Sequence, residues 1–154
     1  MAQILLRRAL VSDARQVAEV HRRSRACYYG VAAEPGDDRE AMWAHLIAQP
    51  DRVTYVATVS DVVVGFMSAH RGTDPVAQLK LTAIYVLPSH FDQGIGSRLH
   101  DAYASERADE ELGTLEVWAG NDRAIGFYLR RGWTPTATTR TGPQDVEFVT
   151  YRLS

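Results

Sequence analysis

The sequence predicts a mixed α/β fold: a central mixed sheet with helices on both faces (three layers, αβα), in one domain over residues 1–154. Three observations predict it. Stretches with strand alternation and stretches with helical spacing succeed one another along the whole chain. A strand, a glycine loop and a helix start meet within Leu79–Arg107. The length of 154 residues suits one sizeable core.

The elements follow in order. Gln3–Leu10 is a first strand. Ser12 or Asp13 caps a helix to about Arg25, with Ala14, Val17, Ala18 and His21 on one face and Arg22, Arg23 and Arg25 in its last turn. Ala26–Gly36 is an irregular, aromatic connection. Asp37 or Asp38 opens a second helix that runs through Ala48 and buries Trp43, Leu46 and Ile47. Val53–Val59 and Val62–His70 form a hairpin across Ser60-Asp61, and Arg71–Ala77 is a loop.

Leu79–Leu87 is the central strand, and Pro88 ends it because proline has no N–H for a ladder. After Gly94-Ile95-Gly96, apolar residues at Ile95, Leu99, Ala102 and Tyr103 mark a helix. Leu112–Trp118 is a strand. Asn121 or Asp122 caps a helix carrying Ala124, Ile125, Tyr128 and Leu129, which ends on Arg130-Arg131-Gly132. Trp133–Arg140 and Val146–Leu153 are a final hairpin around Gly142-Pro143. The order is β-α-α-β-β-β-α-β-α-β-β.

Composition excludes several classes. A formal net charge of -2 and a pI near 6.2 give no basic footprint for nucleic acid. No run of about 18 apolar residues exists to span a membrane. The single Cys27 rules out an internal disulfide framework and fits a cytoplasmic location.

The glycine loop before a helix is an anion site in outline, where free backbone N–H groups meet the positive end of the helix dipole. A Walker loop is absent, since no Gly-Lys-Ser/Thr follows at the right spacing. A dinucleotide fingerprint fails at its third glycine, where Leu99 stands. Val86-Leu87-Pro88 followed by Gly94-Ile95-Gly96 instead resembles the acyl-CoA pyrophosphate loop of the GNAT superfamily of N-acetyltransferases. In that family a strand ending in Val-x-Pro precedes Arg/Gln-x-x-Gly-x-Gly/Ala; the Arg/Gln position is Phe91 here. Asn121 to Trp133 resembles the family's second signature, Asn…Ala…Phe-Tyr…Gly-Phe, with Trp133 replacing the last Phe. The element order also resembles the GNAT fold, so the likeness covers nearly the whole chain.

The resemblance implies transfer of an acetyl group from acetyl-CoA, as co-substrate, to a primary amine of a small molecule, by direct attack in a ternary complex and with no metal. It places the backbone N–H groups of Gln93, Gly94, Ile95, Gly96 and Ser97 around the pyrophosphate. Tyr85 and Val86 would pair strand-like with the pantetheine amides, and Asn121 would touch the pantetheine arm or simply cap its helix. Val86 N–H is the oxyanion donor by position, and Tyr128 matches the general acid that protonates the leaving thiolate.

The central strand has no carboxylate, so Glu116, His70 or a water chain is left as the base. Tyr28, Tyr29 and Thr82 are the acceptor-side candidates. Two alternatives stay open: a non-catalytic acyl-CoA-binding module, and a protein or peptide N-acetyltransferase. Homodimers are common among members of the family, and nothing in this sequence specifies one.

Overall fold

A computed structural model of the chain describes residues 3–29 and 38–154, with the backbone only for 26–29. The elements are β1 (Ile4–Arg8), α1 (Ala14–Tyr29), α2 (Arg39–Ala48), β2 (Arg52–Val59), β3 (Val62–Gly72), β4 (Gln78–Val86), α3 (Ile95–Glu106), β5 (Leu112–Trp118), α4 (Asp122–Leu129), β6 (Thr134–Thr141) and β7 (Glu147–Leu153). Their order is the one read from the sequence. They form a seven-stranded sheet in the order β1-β2-β3-β4-β5-β7-β6. Only β4 and β5 run parallel; every other neighbouring pair is antiparallel. The β2–β3 hairpin turns on Ser60 and Asp61, at φ 50° and 65°, the left-handed pair that matches the twist of a tight hairpin.

Several strand ends shift slightly, β3 running to Gly72 rather than to His70 and β1 stopping at Arg8 rather than Leu10, and one helix differs more. Helix α1 continues to Tyr29 rather than ending near Arg25. Arg22 and Arg23 are therefore mid-helix, and both reach back to Glu19 one turn away, which stabilises the helix interior. The expected cap, Asp13, sits in a short 3-10 turn (Val11–Asp13) that leads into α1. Its buried carboxylate accepts the Leu10 N–H at 2.7 Å and a two-pronged contact from Arg7 at 2.7 and 2.9 Å.

The sheet separates two cores. On one face α1 and α2 pack Val17, Val20 and Trp43 onto Val56, Val63 and Phe66. On the other, α3 and α4 pack Ile95, Leu99, Tyr103 and Tyr128 onto Leu79, Leu115 and Val117, with Trp133 and Tyr151 closing the end.

A polar pair is buried in the second core. Trp133 Nε1–H donates to His100 Nε2 at 2.9 Å, so the imidazole is neutral there. Burial, aided by the nearby charge of Arg131, pushes His100 down to about 4. The unfolded chain takes up this proton near pH ~6.5 and the folded one does not, so stability is complete above that pH and falls as pH drops toward 4. Between pH 7 and pH 5, where ordinary carboxylates remain charged, the wild-type protein should lose about 2 kcal/mol through this residue. His100→Gln keeps an acceptor for the indole and removes the titration. Urea midpoints at the two pH values check it: the variant's curve should be flat where the wild type's slopes.

Candidate active site

The parallel pairing of β4 with β5 is short. It covers Gln78–Leu81 against Leu112–Leu115 and goes no further, although both strands continue. The cause lies on the other side of β4. Between Ser68↔Ala83 and Ala69↔Leu81 the β3–β4 register slips by one residue, leaving Thr82 as an extra residue in β4. Such a bulge bends the strand that carries it, and here the bend turns the end of β4 away from β5. The Thr82 hydroxyl anchors the bulge by donating to Ser68 O at 3.0 Å.

A gap in the sheet leaves backbone groups exposed to whatever enters. Leu87 N–H donates to Val64 O at 2.8 Å across the β3–β4 ladder. Since N–H groups alternate along a strand, the N–H of Val86 points the opposite way, toward β5 and the gap.

One cavity, of about 430 Å³, opens on the α3–α4 side of this gap. Ile84 and Val86 form its floor, and the glycine loop and α4 form its walls. Gly94 starts α3 with φ 79°, a left-handed conformation that costs a residue with a side chain about 1–2 kcal/mol. The first backbone bond of the helix runs from Arg98 N–H to Gly94 O at 3.1 Å. The N–H groups of Ile95, Gly96 and Ser97 precede it and are free of intrahelical partners, as at any helix start.

Cations surround these donors. Arg131 donates to the Ser97 hydroxyl and to Phe127 O while lying over the Phe127 ring at 3.6 Å, which ties the end of α4 to the start of α3. Arg123 lies over Phe91 at 4.1 Å and reaches Asp92 at 3.2 Å. Tyr128, itself buried, lines the same cavity.

A second cavity, of about 340 Å³, lies on the opposite face of the same strand. Alternation of side chains divides β4 between the two: Ile84 and Val86 face the first, Ala83 and Tyr85 the second. His21 of α1 stacks on Tyr85 with ring centres 5.4 Å apart, and its Nδ1 accepts the Trp43 indole N–H at 3.1 Å. Glu116 on β5 closes the far side, held by Lys80 at 2.9 Å and by Arg140.

The profile of the acetyltransferase (GNAT) family matches residues 17–133, most of the chain. The chain belongs to the GNAT acetyltransferase family. It is an acyl-CoA-dependent acetyltransferase by that membership. Among curated proteins, none matches it by sequence. Solved structures of the same fold include an acetyltransferase from Thermus thermophilus (19% identity, TM-score 0.76, covering 98% of this chain and 96% of that one). The ribosomal-protein-S18-alanine N-acetyltransferase of Escherichia coli is similar at 22% identity and TM-score 0.75, over 98% and 93% of the two chains. The PaiA N-acetyltransferase of Thermoplasma acidophilum, solved in complex with coenzyme A, is similar at 16% identity and TM-score 0.66, over 96% and 98%.

Within this acetyltransferase domain the expected site residues divide. Val86, Gly94, Ile95, Gly96, Ser97 and Tyr128 line one cavity together. Gln93 is exposed and outside it. Asn121 is the helix cap: its Oδ1 accepts the Ala124 N–H at 3.1 Å. Tyr85 turns its ring to the opposite face, beside Thr82 and Glu116 in the second cavity. His70 lies in neither cavity; its Nε2 is 2.9 Å from Asp51 Oδ2 at the far end of β3. Tyr28 and Tyr29 belong to the last turn of α1 rather than to a loop, and their side chains fall outside the described residues.

Four residues escaped the sequence reading. Arg131 reads from the sequence only as a last-turn cation and Arg123 carries no signal of its own; only folding sets them beside the glycine loop. His21 and Arg52 lie far from the central strand in sequence and meet it through the sheet and α1. No local pattern marks any of them.

Proposed function

We propose that this domain transfers the acetyl group of acetyl-CoA to the primary amine of a small molecule, by direct attack while both substrates are bound. The observation that carries this reading is the pair of cavities on opposite faces of β4, back to back where β4 and β5 part. An amine entering from one face and a thioester from the other meet at the gap, and the reacting atoms need no further machinery to be brought together.

The residues of the first cavity fit coenzyme A. Backbone N–H groups of Ile95, Gly96 and Ser97 suit a pyrophosphate. Arg123, stacked on Phe91, returns to that corner the cation that the family's Arg would have supplied. The unpaired edge of β4 beyond Leu81 suits the amides of pantetheine, strand against strand. Val86 N–H is directed into the gap, where a fixed donor stabilises negative charge developing on the carbonyl oxygen. Tyr128 is the proton donor to the departing sulfur.

Neither side chain considered as a base serves well. Burial pushes the Glu116 carboxyl up, but hydrogen bonds from Lys80 and Arg140 outweigh it and hold the group below the usual carboxylate range, which makes it a weak base. His70 stands apart from both cavities. Water therefore removes the amine proton.

A small acceptor is favoured over a protein terminus because aromatic and helical groups wall the second cavity: Trp43 and Leu46 on one side, Phe148 on the other. Its volume of about 340 Å³ is of small-molecule size. The single Cys27 suits a cytoplasmic setting.

Acetyl-CoA titrated by calorimetry, beside a thermal melt, tests the reading at its first requirement. At ~100 times its dissociation constant it should stabilise the fold by ~2.7 kcal/mol. A panel of small amines against peptides, scored by thiol release, then separates the acceptor classes. Failure to bind acetyl-CoA withdraws the reading; binding without turnover of any amine leaves a non-catalytic acyl-CoA module; preference for peptides reassigns the acceptor.

A further inference from the structure

Among the described residues, the second cavity carries more positive than negative side chains. Arg52, Lys80 and Arg140 line it, against the carboxylate of Glu116. Lys80 and Arg140 already share that carboxylate. Arg52 has no such relief, for it makes no ion pair among the described residues. Its Nη1 donates to Thr82 Oγ1 at 2.8 Å and to Ser68 Oγ at 3.1 Å, both neutral hydroxyls at the β4 bulge. Its Nε is buried without a hydrogen-bond partner among the described residues. The nearest acid in sequence, Asp51, is turned to His70 at 2.9 Å.

A half-buried guanidinium without a counter-charge costs free energy that folding alone does not recover. Burial lowers the affinity of Arg52 for its proton more than the charge of Asp51 raises it, which is the mark of an under-compensated cation. The hydroxyls that hold Arg52 belong to the bulge that opens the sheet, so the charge is fixed beside the gap.

We propose that the acceptor carries an oxyanion, a carboxylate or a phosphate, beside its primary amine, and that Arg52 is the specificity-determining residue that binds it, with Lys80 and Arg140 at the rim. This rests on the reading that the second cavity receives the acceptor. Such a pocket repels an amine that is only a cation. It accepts an amine bearing its own anion, and its remaining positive charge favours the neutral, nucleophilic form of that amine. The charge of the pocket thereby eases the deprotonation for which no side chain is placed as a base.

The test has a binding arm and a turnover arm. Succinate and inorganic phosphate are titrated into wild-type, Arg52→Met and Arg52→Lys protein by calorimetry. Phosphate bound at the glycine loop is common to all three, so the difference between proteins is the readout. Wild-type protein should bind saturably, Arg52→Met about tenfold or more weakly, and Arg52→Lys in between. Arg140→Gln, at an exposed position, supplies a second weakening of several-fold if Arg52→Met does not fold. Equal binding by wild type and variants, or no saturable binding to wild type, overturns the proposal.

In the turnover arm, L-amino acids are compared with their carboxamides, and phosphoethanolamine with ethanolamine. The anionic member of one pair should be preferred about tenfold or more in kcat/KM, and the preference should vanish in Arg52→Met. Whichever pair shows it names carboxylate or phosphate. Equal rates within both pairs overturn the proposal while leaving acetyl transfer intact. Anion binding through Arg52 without acetyl-CoA binding sinks the catalytic reading and leaves the anion site standing.

Discussion

Tyr128→Phe should lower turnover by about 10²-fold and leave acetyl-CoA affinity nearly unchanged. The two properties separate because the ring and the hydroxyl do different things. The ring packs edge-on against Phe127 at 5.3 Å and Trp133 at 5.9 Å, and a phenylalanine ring keeps both contacts. In the proposed mechanism the hydroxyl is the part that protonates the leaving sulfur.

A reference phenol titrates near ~10 and a thiol near ~8.5, so full donation to a free thiolate is uphill by roughly 2 kcal/mol. A Tyr128 proton donor would therefore act while charge is still developing on sulfur, and the expected loss falls on kcat rather than on binding. Thiol release under saturating acetyl-CoA, with calorimetric titration of the same variant, measures both. An unchanged kcat removes Tyr128 from the chemistry.

The largest effect on stability is expected from Trp133→Ala, a loss of about 3–5 kcal/mol in urea unfolding. Trp133 is 1% exposed, and its ring centre lies 5.8 Å from Tyr103 and 6.2 Å from His100 as well as against Tyr128. Truncation empties the place where α3, α4 and β6 converge and leaves His100 Nε2 without its donor. A loss of that size is a large share of the ~5–15 kcal/mol that holds an ordinary domain together. Trp133→Phe keeps most of the volume and should cost about 1–3 kcal/mol, chiefly for the orphaned imidazole nitrogen. The ordering Ala worse than Phe worse than wild type is the check; equal midpoints for the two variants would mean that packing contributes nothing beyond the hydrogen bond.

Local signals in the sequence translated well where the physics is local. Pro88 ended a strand, Asn121 capped a helix through Ala124 N–H, and Ser60-Asp61 turned a hairpin, because each depends on a residue's own backbone preferences. The helix run beyond Arg25 was missed since Arg22 and Arg23 read equally well as a last turn or as partners of Glu19. The shape of the glycine loop was legible for the same reason as the caps: it rests on backbone preference, and Gly94 announces a positive φ. The second cavity was not legible. Tyr85 reads from the sequence as a backbone partner for pantetheine at the strand end; that its ring faces the second cavity follows only from the strand alternation and the packing of α1. His70 and Glu116 were named as bases on nearness to the central strand alone. Their partners, Asp51 for one and Lys80 with Arg140 for the other, come from strands and loops that only the sheet order brings together.

The sequence by itself determined the order of elements, the two motifs and through them the GNAT family, because periodicity and backbone preference act over a few residues. Tertiary structure alone decided that β4 parts from β5 at the Thr82 bulge, that cavities lie on the two faces of β4, and that Arg52 lines one of them without an ion pair among the described residues. Those features depend on strand register and on charges more than ten residues apart in the chain, and register is set only when every strand has found its neighbour.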